Sequence, residues 1–236
     1  MLRNALWARP IPDGIFPLDP QQWDELLAFS RKQGVLPILF DAIDALPHGA
    51  APSPVLLASW LLEVSDIERF NARLDSLTER IARFWKAHGV TAVLLKGQQI
   101  AHLYPVPAHR ACGDIDWYFP TVKDWDAARE AVIAAGAHVH EDSDGDIHYR
   151  SEGVTVEHHR RWNHVISASG AEYLRSMETG YDEWRGANVL SPELNIVMLS
   201  LHILKHAMVL GVGFRQLCEG MNADVNGILA AMVAEA

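Results

Sequence analysis

Cysteine is scarce. Cys112 and Cys218 are the two in 236 residues, and neither has a CxxC or CxxH partner. That spacing excludes a disulfide framework and a thiolate zinc site, and a reducing cytoplasm is the expected compartment. Positive charge is in deficit as well, with 20 Lys+Arg against 30 Asp+Glu and a formal net charge of −10. Gripping a phosphate backbone needs clustered Lys and Arg, so no long nucleic acid is expected as a partner. Long apolar runs are missing too. The opening MLRNALWARPIPDG has no sustained apolar stretch, and the best one near the C-terminus is broken by His202, Lys205 and His206. Neither a signal peptide nor a membrane span is expected. What is there is a globular composition, 49% hydrophobic and 21% charged, with enough length for one large domain or two small ones.

The chain divides by character into three parts. Residues 1–88 form an N-terminal helical segment. Within it, 20–46 carries Trp23, Leu27, Leu36, Leu39 and Ile43 at helical spacing, punctuated by Gly34 and Pro37. A long amphipathic helix over 54–88 follows, with Ser53 as N-cap, Pro54 at its first position and Gly89 as its stop. Residues 89–165 form a compact mixed sheet with helices: a buried strand 91–96, a helical turn 97–104, a loop 104–113, a strand 114–119 and an amphipathic helix 123–137. Short strands come next, joined by turns at Asp144-Gly145 and Glu152-Gly153. Residues 166–236 form a C-terminal helical segment, with one helix over 191–210 opened by Ser191 and Pro192 and a last helix from about Phe214 onward.

Chemistry concentrates in the middle part. Asp114 and Asp116 are two apart in a strand, so both side chains leave the same face. Two like charges held together call for a cation, and carboxylate oxygens suit Mg²⁺ or Mn²⁺. Upstream, Lys96-Gly97 ends one strand and begins a helical turn, a place where backbone N–H groups face phosphate and glycine permits close approach. Downstream, Glu157 in VTVEHHRRW offers a third carboxylate, with Asp146 and Glu141 as alternatives in the adjoining strands.

LLKGQQIAHLYPVPAHRACGDIDWYF, then VEHH, then LHILKH and GFRQLCE, resemble the bacterial uncharacterised nucleotidyltransferase family of the DNA polymerase β-like superfamily. The resemblance spans most of residues 20–220. It implies an α+β fold, with a polymerase β-like core flanked by N-terminal and C-terminal helices. It also implies metal-dependent transfer of a nucleoside monophosphate from an NTP to an unknown hydroxyl acceptor, whether small molecule, sugar or protein side chain. Asp114, Asp116 and Glu157 would hold the metal ions, and Gly97 with its neighbour Gln98 would hold the phosphates. Gln98 stands where the superfamily usually has serine. That motivates an alternative: a nucleotide-binding module without catalysis, regulatory or part of a toxin–antitoxin pair.

The remaining candidates have two readings each. Lys96 either neutralises phosphate charge or turns away to pair with an acid. Arg110 either reaches the phosphates as a bidentate donor or ties down its own loop. His159, two on from Glu157, shares its face, whereas His158 packs or is solvated. Lys205 either assists the triphosphate or is an ordinary surface lysine. His202 and His206, at i and i+4, either pack or touch the nucleotide site; their zinc-compatible spacing also defines, with a strand histidine, a rival reading as a zinc protein.

Overall fold

The computed structural model describes residues 1–163, 167–209 and 211–222. Three helices open the chain: α1 (Leu2–Trp7), α2 (Pro20–Gln33) and α3 (Leu36–Phe40). Asp19 starts α2 through a capping box in which its side chain accepts from the Gln22 N–H, and the Gln22 side chain accepts from the Asp19 N–H. The long α4 (Pro54–Ala87) begins where Ser53 Oγ accepts from the Leu56 N–H at 3.3 Å and Pro54 supplies a preset φ. Both elements match the sequence expectation.

Then come β1 (Val93–Leu95), α5 (Gly97–Ala101), β2 (Asp114–Tyr118), α6 (Val122–Ala134), β3 (His140–Glu141), β4 (Ile147–Ser151) and β5 (Val154–His159). After them follow α7 (Ala168–Ser176), β6 (Asp182–Trp184), β7 (Ala187–Val189), α8 (Pro192–Val209) and α9 (Phe214–Asn222). The strands form one mixed sheet in the order β3-β4-β5-β2-β1-β7-β6. The chain is therefore α+β, as expected. Two strands come from beyond residue 165, where the sequence reading placed only helices. They are three residues each, too short to show alternation, and join through Arg185-Gly186, both at positive φ (49° and 82°). The expected last helix is seen as α9; its continuation past residue 222 lies outside the described residues.

Alternation assigns the two faces. Leu94, Ile115, Trp117, Ile147, Tyr149, Val154 and Val156 pack against the second half of α4 (Leu74, Leu77, Ile81, Trp85) and against Trp125, Ala128 and Val132 of α6. Val93, Leu95 and Tyr118 face the other way, onto Trp23, Trp60 and Val64 and onto Leu194, Met198 and Leu199 of α8. Trp60, Trp85 and Trp117 are fully buried, and truncating any one to alanine costs about 3–5 kcal/mol. Among the described residues no helix is long and apolar enough to cross a membrane.

Candidate active site

β2 lies between β5 and β1, and its register determines the site. β2 runs parallel to β5, with Asp114 opposite Thr155, Asp116 opposite Glu157 and Tyr118 opposite His159; across β1 it runs antiparallel, with Asp116 opposite Leu95. Because Ile115, Trp117, Val156 and His158 take the α4–α6 face, Asp114, Asp116, Glu157 and His159 share the opposite one.

Asp116 is the hub. It is 3% exposed, and its Oδ1 accepts from His159 Nε2 at 2.8 Å and pairs with Lys96 Nζ at 3.3 Å. His159 Nε2 also lies 3.7 Å from Glu157 Oε2. The other ring nitrogen, Nδ1, is 2.8 Å from Asp146 Oδ2, while Asp146 Oδ1 accepts from the Arg160 N–H. Asp146 thus orients His159 from behind rather than joining the front carboxylates. Ligand atoms of Asp116, Glu157 and His159 lie within 4.8 Å of one another, a separation a single divalent ion can span. Among the described residues that group includes neither His202 nor His206, whose rings meet edge-on at 4.5 Å on α8.

The electrostatics follow from this crowding. Burial by itself would raise Asp116, but Lys96 and His159 hold its carboxyl well below the usual range. Burial and then the Asp116 charge push both Asp114 and Glu157 upward. Burial opposes the charge on Lys96, yet Asp116 and Asp114 raise it above its ordinary value. His159 is desolvated too, but its bonds to Asp116 and Asp146 lift it to about 9. The cluster consists of three acids and two cations, which offset only part of the negative charge.

The turn after β1 is strained where the sequence reading put phosphate. Lys96 and Gly97 are both at positive φ (51° and 50°), which a glycine tolerates and a lysine adopts at a cost. The twist delivers Lys96 Nζ to Asp116. Lys96 therefore pairs with an acid and does so inside the site. Gln98 is 2% exposed, and neither its amide oxygen nor its nitrogen meets a partner.

Arg110 sits apart. Its Nη2 donates to Glu219 Oε1 of α9 at 2.7 Å and its Nη1 to Cys112 Sγ at 2.8 Å, with only 4% of the residue exposed. Asn71 of α4 donates to the Ala108 and Arg110 carbonyls. The loop-tying role is the one this geometry displays. Lys205 is exposed on α8. Arg215 and His206 also come near it. The charge of Arg215 on α9 acts on Asp114, and that of Lys96 lowers His206 on α8, after burial. Both lie in the LHILKH and GFRQLCE segments, but which site atoms they approach depends on how α8 and α9 pack against the sheet.

A family model described as uncharacterised nucleotidyltransferase matches residues 19–221. No curated protein matches the chain.

Proposed function

This chain belongs to the uncharacterised nucleotidyltransferase family, and from that premise we propose that it transfers a nucleoside monophosphate from an NTP to a hydroxyl acceptor. The observation that carries the reading is the convergence of Asp116, Glu157 and His159 on one point, beside Asp114 on the same sheet face. Carboxylate oxygens are donors that Mg²⁺ or Mn²⁺ accepts, so the residues fit the expected ion. Asp114, Asp116 and Glu157 would hold it, with His159 orienting Asp116 through its Nε2. Such an ion supplies charge stabilisation to the entering and leaving oxygens of an in-line displacement.

The chain's own residues supply the rest. Lys96, buried among the acids, offers an ammonium to phosphate oxygens. Gly97 and Gln98 carry the backbone past them without a bulky side chain at the tightest point. Arg215, His206 and Lys205 bring further positive or donor groups from the α8–α9 side. Glu157, with its pKa pushed up by burial and by Asp116, is suited to receive the acceptor's proton. His159 is held by Asp146 so that Nε2 stays aimed at Asp116.

The test is pyrophosphate release from each NTP in Mn²⁺ or Mg²⁺, against a pool of hydroxyl acceptors. The reading requires release that depends on metal and acceptor and falls at least a hundredfold in Asp116→Asn. Nucleotide binding with no turnover under any acceptor would overturn it in favour of a catalytically silent module.

A further inference from the structure

Two rows of side chains run across the sheet from the acids to its β3 edge. In one, Asp116 of β2 is followed by Glu157 of β5, His148 of β4 and His140 of β3; in the other, Asp114 is followed by Thr155 and Arg150. Ile147, Tyr149, Val154 and Val156 take the buried α4–α6 face, so pleating puts His148, Arg150 and Thr155 on the same face as Asp114, Asp116 and Glu157. Strands lie about 4.8 Å apart, so His148 and Arg150 start roughly 10 Å from the β2 acids.

Both rows end in one cavity. It has a volume of about 380 Å³ and is lined by His138, His140, His148, Tyr149, Arg150 and Thr155, with the turn after α6. That volume suits a small molecule. In a chain of net charge −10, among the described residues no carboxylate lines this concavity. Its polar side-chain groups include three imidazoles, a guanidinium and the Thr155 hydroxyl, which can all donate hydrogen bonds. Arg150 donates Nη2 to the Gly153 carbonyl at 2.8 Å and keeps its other guanidinium N–H groups for the cavity it lines. A guanidinium and imidazole N–H groups lining one concavity recognise anionic oxygens.

We propose that this cavity is the acceptor subsite, and that the acceptor is a small hydroxyl compound bearing an anionic group, a phosphate monoester or a carboxylate. The inference deepens the nucleotidyl-transfer reading and rests on it. With the anionic group on Arg150, His140 and His148, a molecule some 10 Å long places its hydroxyl beside Glu157, the residue suited to take its proton. The nucleotide then comes in from the Lys96 and α8 side, so the two substrates meet at the β2–β5 seam. In the transfer the acceptor oxygen forms a bond to the α-phosphorus, the bond from that phosphorus to the pyrophosphate oxygen breaks, and pyrophosphate leaves with its electron pair. The acceptor's proton goes to Glu157.

The experiment is imidazole-selective NMR of the full chain with labelled histidine, signals assigned by single His→Gln variants. Inorganic phosphate and acetate are titrated separately at fixed pH, with sodium chloride as the ionic-strength control and no nucleotide or divalent metal present. The expected result is a saturable shift of His140 and His148 that sodium chloride does not reproduce. It weakens at least tenfold in the exposed-site variant Arg150→Ala and persists in Asp114→Asn/Asp116→Asn. Saturation by phosphate identifies a phosphorylated acceptor, and saturation by acetate alone a carboxylate. Absence of a saturable shift at His140 and His148, or the same shift in Arg150→Ala, overturns the proposal. Because no transfer is measured, failure here is separate from failure of the pyrophosphate assay, which tests the underlying reading.

Discussion

His159 Nε2 lies 2.8 Å from Asp116 Oδ1, with Asp146 on the far side of the ring at the same distance. One imidazole therefore joins a buried front carboxylate to a supporting one. Removing such an orienting group typically lowers metal affinity 10–100-fold. His159→Gln is expected to weaken Mn²⁺ binding by that factor, read by electron paramagnetic resonance of free Mn²⁺, and Asp146→Asn by less. Equal Mn²⁺ affinity in His159→Gln and wild type would show that the ring does not serve the ion.

Glu219 and Arg110 make a buried pair, 3% and 4% exposed, between α9 and the loop that leads into β2. Deleting the acid leaves an uncompensated guanidinium inside the protein, a change that costs about 3–5 kcal/mol. Glu219→Ala should lower the urea midpoint accordingly, and Arg110→Met in the same chain should recover much of the loss. A double variant no more stable than the single one would mean that the pair's charges are not what matters.

His158 has no hydrogen-bond partner and sits among Trp85, Phe119, Trp125 and Tyr149. Burial depresses it to about 3 from an ordinary value near 6.5. The unfolded chain therefore binds this proton first as pH falls. Its contribution is complete above about 6.5 and is lost progressively down to about 3, amounting to roughly 5 kcal/mol at 1.36 kcal/mol per unit. Replacing it by leucine should flatten the stability curve between pH 6.5 and 3 relative to wild type, in urea titrations at a series of pH values. Parallel curves for the two proteins would contradict the assignment.

Much of this architecture could be read in the sequence because local signals carried it. Ser53-Pro54 marked the start of α4, and the turns Asp144-Gly145 and Glu152-Gly153 marked the hairpins. The alternation in GDIDWY placed Asp114 and Asp116 on one face, and EHH placed Glu157 and His159 together. What escaped the reading depends on distance along the chain. Glu219 meets Arg110 across 109 positions, and no periodicity announces such a pair. β6 and β7 are too short to alternate. Asp146 showed itself as an acid near the site, but its role behind His159 follows from the β4–β5 register, which a hairpin turn sets and composition does not.

The most direct measurement is calorimetric titration of each NTP, with and without Mg²⁺ or Mn²⁺, into wild type and Asp114→Asn/Asp116→Asn. The account predicts metal-dependent binding of at least one NTP to wild type and its loss in the variant. Binding of equal strength in both proteins, or none to either, would contradict a nucleotide site built on these carboxylates.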